Sequence, residues 1–192
     1  PVHRLKVRAE ISEPRVRFGP IDLRGHFGVL AGQNVWIETP AGAVIERRDE
    51  ARQFFPGGRR RLWWDALDQT YFVGYALWNY LVFPALLLRH DISWTPLSPT
   101  VLEAFFQPNV PTHCEVQRFH FDRATHLLRR HDYTAEVFGA WARAANVVLE
   151  HSQWEGIPYP AQRQVTPRRR DGRLRIFPVL VWIVVHEWQL VS

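Results

Sequence analysis

The run Gln-Thr-Tyr-Phe-Val-Gly-Tyr-Ala-Leu-Trp-Asn-Tyr-Leu-Val-Phe-Pro-Ala-Leu-Leu-Leu, from Gln69 to Leu88, contains no charged residue. A membrane span needs roughly 20 predominantly apolar residues, so length alone admits one. Gly74 and Pro84 in the interior, the polar Thr70 and Asn79, and flanking sequence that alternates like ordinary β-structure argue against it. The stretch therefore reads as a helix from Trp63 to Phe83 buried in the hollow of a β-sheet. A helix apolar on nearly all sides must be covered on nearly all sides.

Tyr71, Tyr75, Trp78 and Val82 fall at i, i+4, i+7 and i+11 and share one face; Phe72, Ala76, Asn79 and Phe83 form the adjoining one. Tyrosine and tryptophan have polar tips that need partners when buried. Two readings stay open. Either this is a core helix with its polar tips satisfied, or Tyr71, Tyr75, Trp78 and Asn79 line a pocket for an apolar or aromatic ligand.

The composition suits a large interior. The 192 residues fit a single domain, and a hydrophobic fraction of 46% with nine Trp and twelve Phe excludes disorder. Charge is +5, and almost every basic residue is arginine, mostly scattered along alternating segments. Cys114 is the sole cysteine, which excludes an intramolecular disulfide and a multi-thiolate metal site. The first twenty residues carry charge every few positions and hold no apolar run of signal-peptide length, which favours a cytoplasmic placement.

Along the chain, Leu5, Val7, Ala9 and Ile11 alternate with charged neighbours as a half-buried strand. Val16 and Phe18 repeat the pattern, and the turns Ala31-Gly32-Gln33-Asn34 and Pro40-Ala41-Gly42 close two hairpins, so the opening quarter reads as an antiparallel meander. Pro56-Gly57-Gly58 and Arg59-Arg60-Arg61 form a loop before the helix, and Asp65 and Asp68 suit its N-terminus. From His90 to Pro111 four prolines leave a loop and one strand. Cys114 to Phe121 and Leu127 to Val137 flank Asp122-Arg123-Ala124-Thr125-His126 as a hairpin, with Phe119 and Phe121 on one face. Asn146 to Trp154 is a strand, Gly156 to Pro160 a kinked connection and Gln162 to Thr166 an edge strand. Arg168-Arg169-Arg170-Asp171-Gly172 is a charged turn. Leu174 to Val191, with seven consecutive apolar residues from Val179, reads as a central strand covered on both faces.

Several of these pieces, taken together, resemble a family of uncharacterised bacterial proteins. They are Val35 to Gly42, Tyr71 to Leu81, Phe119 to Tyr133, and Gly156-Ile157 to Arg163 with Val165 and Pro167. The order of strands, helix and Phe-x-Phe-Asp hairpin is similar to the lipoprotein-carrier (LolA-like) half-barrels. The resemblance implies a mainly β (α+β) fold, with a curved antiparallel half-barrel sheet wrapped around one long apolar helix, and a role with lipid or another hydrophobic ligand. The chain departs from that pattern in two places: the helix before the first strand is absent, and His126 stands where the hairpin turn usually has glycine.

Chemistry-bearing motifs are sparse. His131 and Tyr133 project from one face of a strand while Asp132 points away, so the pair can act as base and acid if it opens into an apolar hollow. His113, Glu136 and His151 join them only if their strands are neighbours. His120, His126 and His131 lack metal-ligand spacing, no Gly-x-Ser-x-Gly occurs, and no glycine loop cradles phosphate, so neither a metal nor a cofactor is expected. The arginines from Arg168 to Arg175 lack interleaved aromatics, so nucleic acid is not an expected partner. The expectation is binding of a hydrophobic or lipid-like small molecule, with peripheral membrane contact left open. The alternatives are a small cyclase- or isomerase-type enzyme using His131 and Tyr133, and a scaffold without ligand.

Overall fold

The computed structural model describes residues 4–55 and 63–190. The Arg59-Arg60-Arg61 triplet lies outside them. The chain forms two compact units, the stretch up to Arg89 with Gln107–His113, and His90–Phe106 with the chain from Cys114 onward.

In the first unit, β1 (Lys6–Glu10), β2 (Arg15–Gly19), β3 (Phe27–Ala31), β4 (Asn34–Glu38) and β5 (Val44–Arg48) pair in chain order, all antiparallel, as the turn chemistry predicts. Alternation sorts the two faces. Val16, Leu30 and Val35 form one buried row, and Phe18, Gly28 and Ile37 the next. The opposite face mixes charge with rings around the buried Val29: Arg17 lies 3.6 Å over the Phe27 ring and 2.6 Å from Glu38, which also accepts the Trp36 indole N–H at 2.8 Å.

The helix α1 (Ala66–Leu81) packs on the apolar rows of this sheet. It is shorter than the Trp63 to Phe83 expectation, and both ends have a cause. At the start, Asp65 Oδ1 accepts the Asp68 N–H at 2.8 Å and Asp68 Oδ2 accepts the Asp65 N–H at 3.2 Å, a capping box that fixes the first turn. Arg48 from β5 bonds both carboxylates, at 2.7 Å to Asp65 and 2.8 Å to Asp68. At the far end, Pro84 disfavours helical backbone at Phe83, and a 3-10 turn follows at Ala85–Leu88. Among the described residues, no helix is long and apolar enough to cross a membrane.

The second unit holds β6 (Ile92–Ser98), β7 (Val101–Phe106), β8 (Val116–Phe121), β9 (Leu128–Thr134), β10 (Arg143–Trp154), β11 (Ile157–Pro167) and β12 (Val181–Val184). They pair antiparallel in the order β12-β11-β10-β9-β8-β7-β6. The Asp122 hairpin is as expected, with Asp122 Oδ1 accepting the Ala124 and Thr125 N–H groups and His126 at φ 59, a backbone that suits glycine.

Four sequence expectations are corrected. The mainly β class holds, but a single curved sheet around a long helix is replaced by two antiparallel sheets and a 16-residue helix. The proline-rich stretch after His90 yields two strands, because β6 is an edge strand and an edge tolerates Pro96. The kinked connection and the expected edge strand are one interior strand, β11, paired with β10 and β12: the turn is only Glu155-Gly156, both at positive φ, and Pro158 and Pro160 pair with Gln153 and His151 beside irregular register in β10. Finally, the Leu174 to Val191 expectation reduces to β12 at the sheet edge, with most of its residues exposed and Val191 outside the described residues. A long apolar run is compatible with a central strand, but it does not supply a partner for the strand's second edge.

Candidate functional site

α1 places its rings on two sides. On the sheet side, close approach is made by two glycines: a Cβ on Gly74 would lie 2.8 Å from Leu30 Cβ, and one on Gly28 would lie 3.0 Å from Thr70 Cγ2. Trp78, buried completely, donates its indole N–H to the Glu10 carbonyl at 2.8 Å. Tyr71 donates its hydroxyl to Gln33 Oε1 at 2.9 Å, and burial pushes its pKa up to about 12. Asn79 donates to the carbonyls of Tyr75, at 2.7 Å, and Pro111, at 3.1 Å, while its oxygen accepts from Thr112.

Around these residues runs a chain of rings. Tyr71 and Tyr75 meet at 5.2 Å, Tyr75 and Phe72 at 5.5 Å, and Tyr75 and His113 at 4.9 Å, all near edge-to-face, the arrangement favoured by ring quadrupoles. Phe55 and Trp64 extend it beyond Tyr71 and Phe72. His113 and Tyr80, whose hydroxyl and ring nitrogen lie 2.9 Å apart, complete the cluster. His113 was not readable as a member from sequence, because it is far from α1 in the chain and enters through the Gln107–His113 segment; Tyr80, on α1 itself, joins the cluster only through it. Phe72 within the cluster, and Val73, Leu77 and Leu81 beside it on α1, are half-buried.

The other expected pair lies in the second unit. His131 and Tyr133 share a face of β9, are both buried, and have ring centroids 5.1 Å apart. His131 stacks on Phe119 at 4.1 Å and bonds Gln117 Oε1 through Nε2. Because Gln117 Nε2 donates to the Cys114 carbonyl at 2.7 Å, its oxygen faces the imidazole, which makes Nε2 the protonated nitrogen. Burial, reinforced by the Arg163 charge, lowers the His131 pKa to about 3. His151, on β10, is lowered by the same two causes. Opposite His131 on β10 stands Asn146, completely buried, whose amide nitrogen and oxygen have no hydrogen-bond partner among the described residues. It falls within an apolar-looking strand, so nothing in the sequence separated it from an ordinary surface asparagine.

Asp132 points to the opposite face, as alternation requires. Burial opposes its ionisation, but hydrogen bonds from Arg130 and His120 and the Arg168 charge outweigh it and bring the pKa down to about 2. It lines an open cleft of about 230 Å³ with Glu103, Arg118, Thr134 and Arg168 among its walls. Among the described residues no group of three or more His, Cys, Asp or Glu side chains is placed to hold a metal ion.

No family model and no curated protein matches the chain. Among solved structures, a DUF1329 family protein from Desulfovibrio piger matches 80% of this chain at 13% identity with a TM-score of 0.38. The chain spans 65% of that protein's length.

Proposed function

We propose that the chain binds a hydrophobic, lipid-like small molecule against the half-buried side of α1, with Tyr71, Tyr75, Trp78 and Asn79 as the wall behind it. The observation that carries this reading is that α1 is apolar on two faces while its own sheet takes one, and Phe72, Val73, Leu77 and Leu81 on the rest of the helix stay half-buried. An apolar side chain left partly wet forfeits part of the roughly 25 cal/mol per Å² that burial contributes, and a hydrophobic ligand recovers it. The likeness of the strand, helix and hairpin order to lipoprotein-carrier proteins points the same way. The test is native mass spectrometry and dye displacement with oleate. Leu77→Glu is expected to weaken oleate binding at least tenfold with the fold retained; unaltered binding, or none by the parent protein, defeats the reading.

The second reading, an enzyme of cyclase or isomerase type, is supported by the shared face and close approach of His131 and Tyr133. It ranks lower because a base held near pKa 3 has little affinity for a proton at neutral pH. Covalent modification of His131 by diethyl pyrocarbonate in the native protein would raise it; full protection would remove it.

A further inference from the structure

The edges of the two sheets are not alike. β1 carries Lys6, Arg8 and Glu10, β5 carries Glu46, Arg47 and Arg48, and β6 carries Pro96, all devices that stop a strand from recruiting a partner. β12 is Val-Trp-Ile-Val, with neither charge nor proline. Apolar exposure continues upstream of it: Ile176 is 90% exposed, Phe177 83% and Leu180 56%, and Trp182 within the strand is 55% exposed. Scattered apolar side chains on a surface need no explanation, but a contiguous set of this size marks a place of contact.

Directly before these residues the chain makes a tight turn, with Gly172 N–H bonded to the Arg169 carbonyl at 3.1 Å and Arg169 N–H to the Arg173 carbonyl at 2.9 Å. Arg169, Arg170, Arg173 and Arg175 are exposed there, with Asp171 the one acid among them. A cluster of cations is therefore followed directly by bulky apolar groups within one exposed segment of the second unit. A second copy of the chain is a poor occupant, since it would bring the same arginines on a protein already at +5, and four strand residues offer few backbone bonds to offset that repulsion.

We propose that the segment from Arg169 to Val184 docks the protein on an anionic membrane surface. The four arginines meet headgroup phosphates, Ile176 and Phe177 enter the acyl boundary, and Trp182 sits at the interface, where an indole is favoured. The segment belongs to the second unit and α1 to the first, so either reading can fail without the other.

Flotation with vesicles of phosphatidylcholine alone, or mixed with phosphatidylglycerol, tests it. The protein is expected to float with the mixed vesicles, to stay behind with the neutral ones, and to be released by salt. An arginine at an anionic surface strengthens binding roughly fivefold, so Arg169→Glu with Arg170→Glu should weaken flotation more than tenfold. Phe177→Asp should weaken it comparably, and because the three side chains are exposed the variants should keep the parent's circular dichroism and melting temperature. Parent protein that ignores mixed vesicles, or variants that float as it does, would overturn the proposal. So would light scattering that shows a dimer dissolved by Phe177→Asp without any vesicle binding, which would assign the surface to a second copy.

Discussion

Gly74 on α1 stands against Leu30 on β3 so closely that an added methyl would lie 2.8 Å from the Leu30 Cβ. A glycine mid-helix costs about 1 kcal/mol relative to alanine, yet here the smaller residue is the one that fits. Gly74→Ala is expected to destabilise the protein by about 1–2 kcal/mol in urea unfolding, overpacking outweighing the gain in propensity. Leu30→Ala would not relieve the clash, since the contact is with Cβ itself.

Asp68 is the inner half of the α1 cap, its side chain only 1% exposed, and it faces Arg48. Asp68→Ala removes a capping bond and leaves a half-buried guanidinium with Asp65 as its remaining hydrogen-bonded carboxylate. The expected loss is about 2–4 kcal/mol, read as a lower midpoint in denaturant with an unchanged slope.

Acid should weaken the fold early. His131 binds its proton near pH 3 when folded and near 6.5 when unfolded, so the unfolded chain takes up more protons between those values and stability falls as pH drops through that window. Between pH 7.5 and 5.5 the expected loss is at least about 1 kcal/mol. Asp132, lowered from 3.8 to about 2, adds a further loss below pH 3.8. Denaturant titrations across this range check it, and His131→Gln should abolish its share of the upper part.

Asn146 offers a stabilising substitution. A buried amide with both ends unmatched carries a desolvation cost of about 1–3 kcal/mol, so Asn146→Leu, similar in shape, should raise stability by about 1 kcal/mol or more. A thermal melt of the single variant decides this.

His126→Gly should stabilise the β8–β9 hairpin by about 0.5 kcal/mol, because glycine adopts positive φ without the clash a Cβ makes. His126→Val should do the reverse, by more than about 1 kcal/mol.

The elements that sequence reading recovered are those defined by neighbours in the chain. The five-stranded meander follows from alternation and glycine turns, and the Asp122 hairpin from an Asx turn. His126, which departs from the glycine usual in that turn, is held in a glycine-like backbone. What escaped reading depended on partners far away. β6 hid behind Pro96, the division into two sheets has no local signal, and His113 joins Tyr80 only through tertiary structure. The apolar run before Val184 gave a strand in the wrong place, since periodicity reports what a segment could bury and not whether a neighbour arrives. On α1 the spacing of the buried aromatic face was legible. The polar partners that hold Tyr71, Trp78 and Asn79 in place were not.

The Glu155-Gly156 turn joins the two longest strands, β10 and β11, so their ladder extends outward from the local pair Trp154–Ile157 toward Ala144–Pro167, each pair closing a loop only slightly larger than the last. Contacts of that kind close small loops at low entropic cost and form fast. The β10–β11 ribbon is thus the natural nucleus for the second unit, with later strands adding to a template already in place.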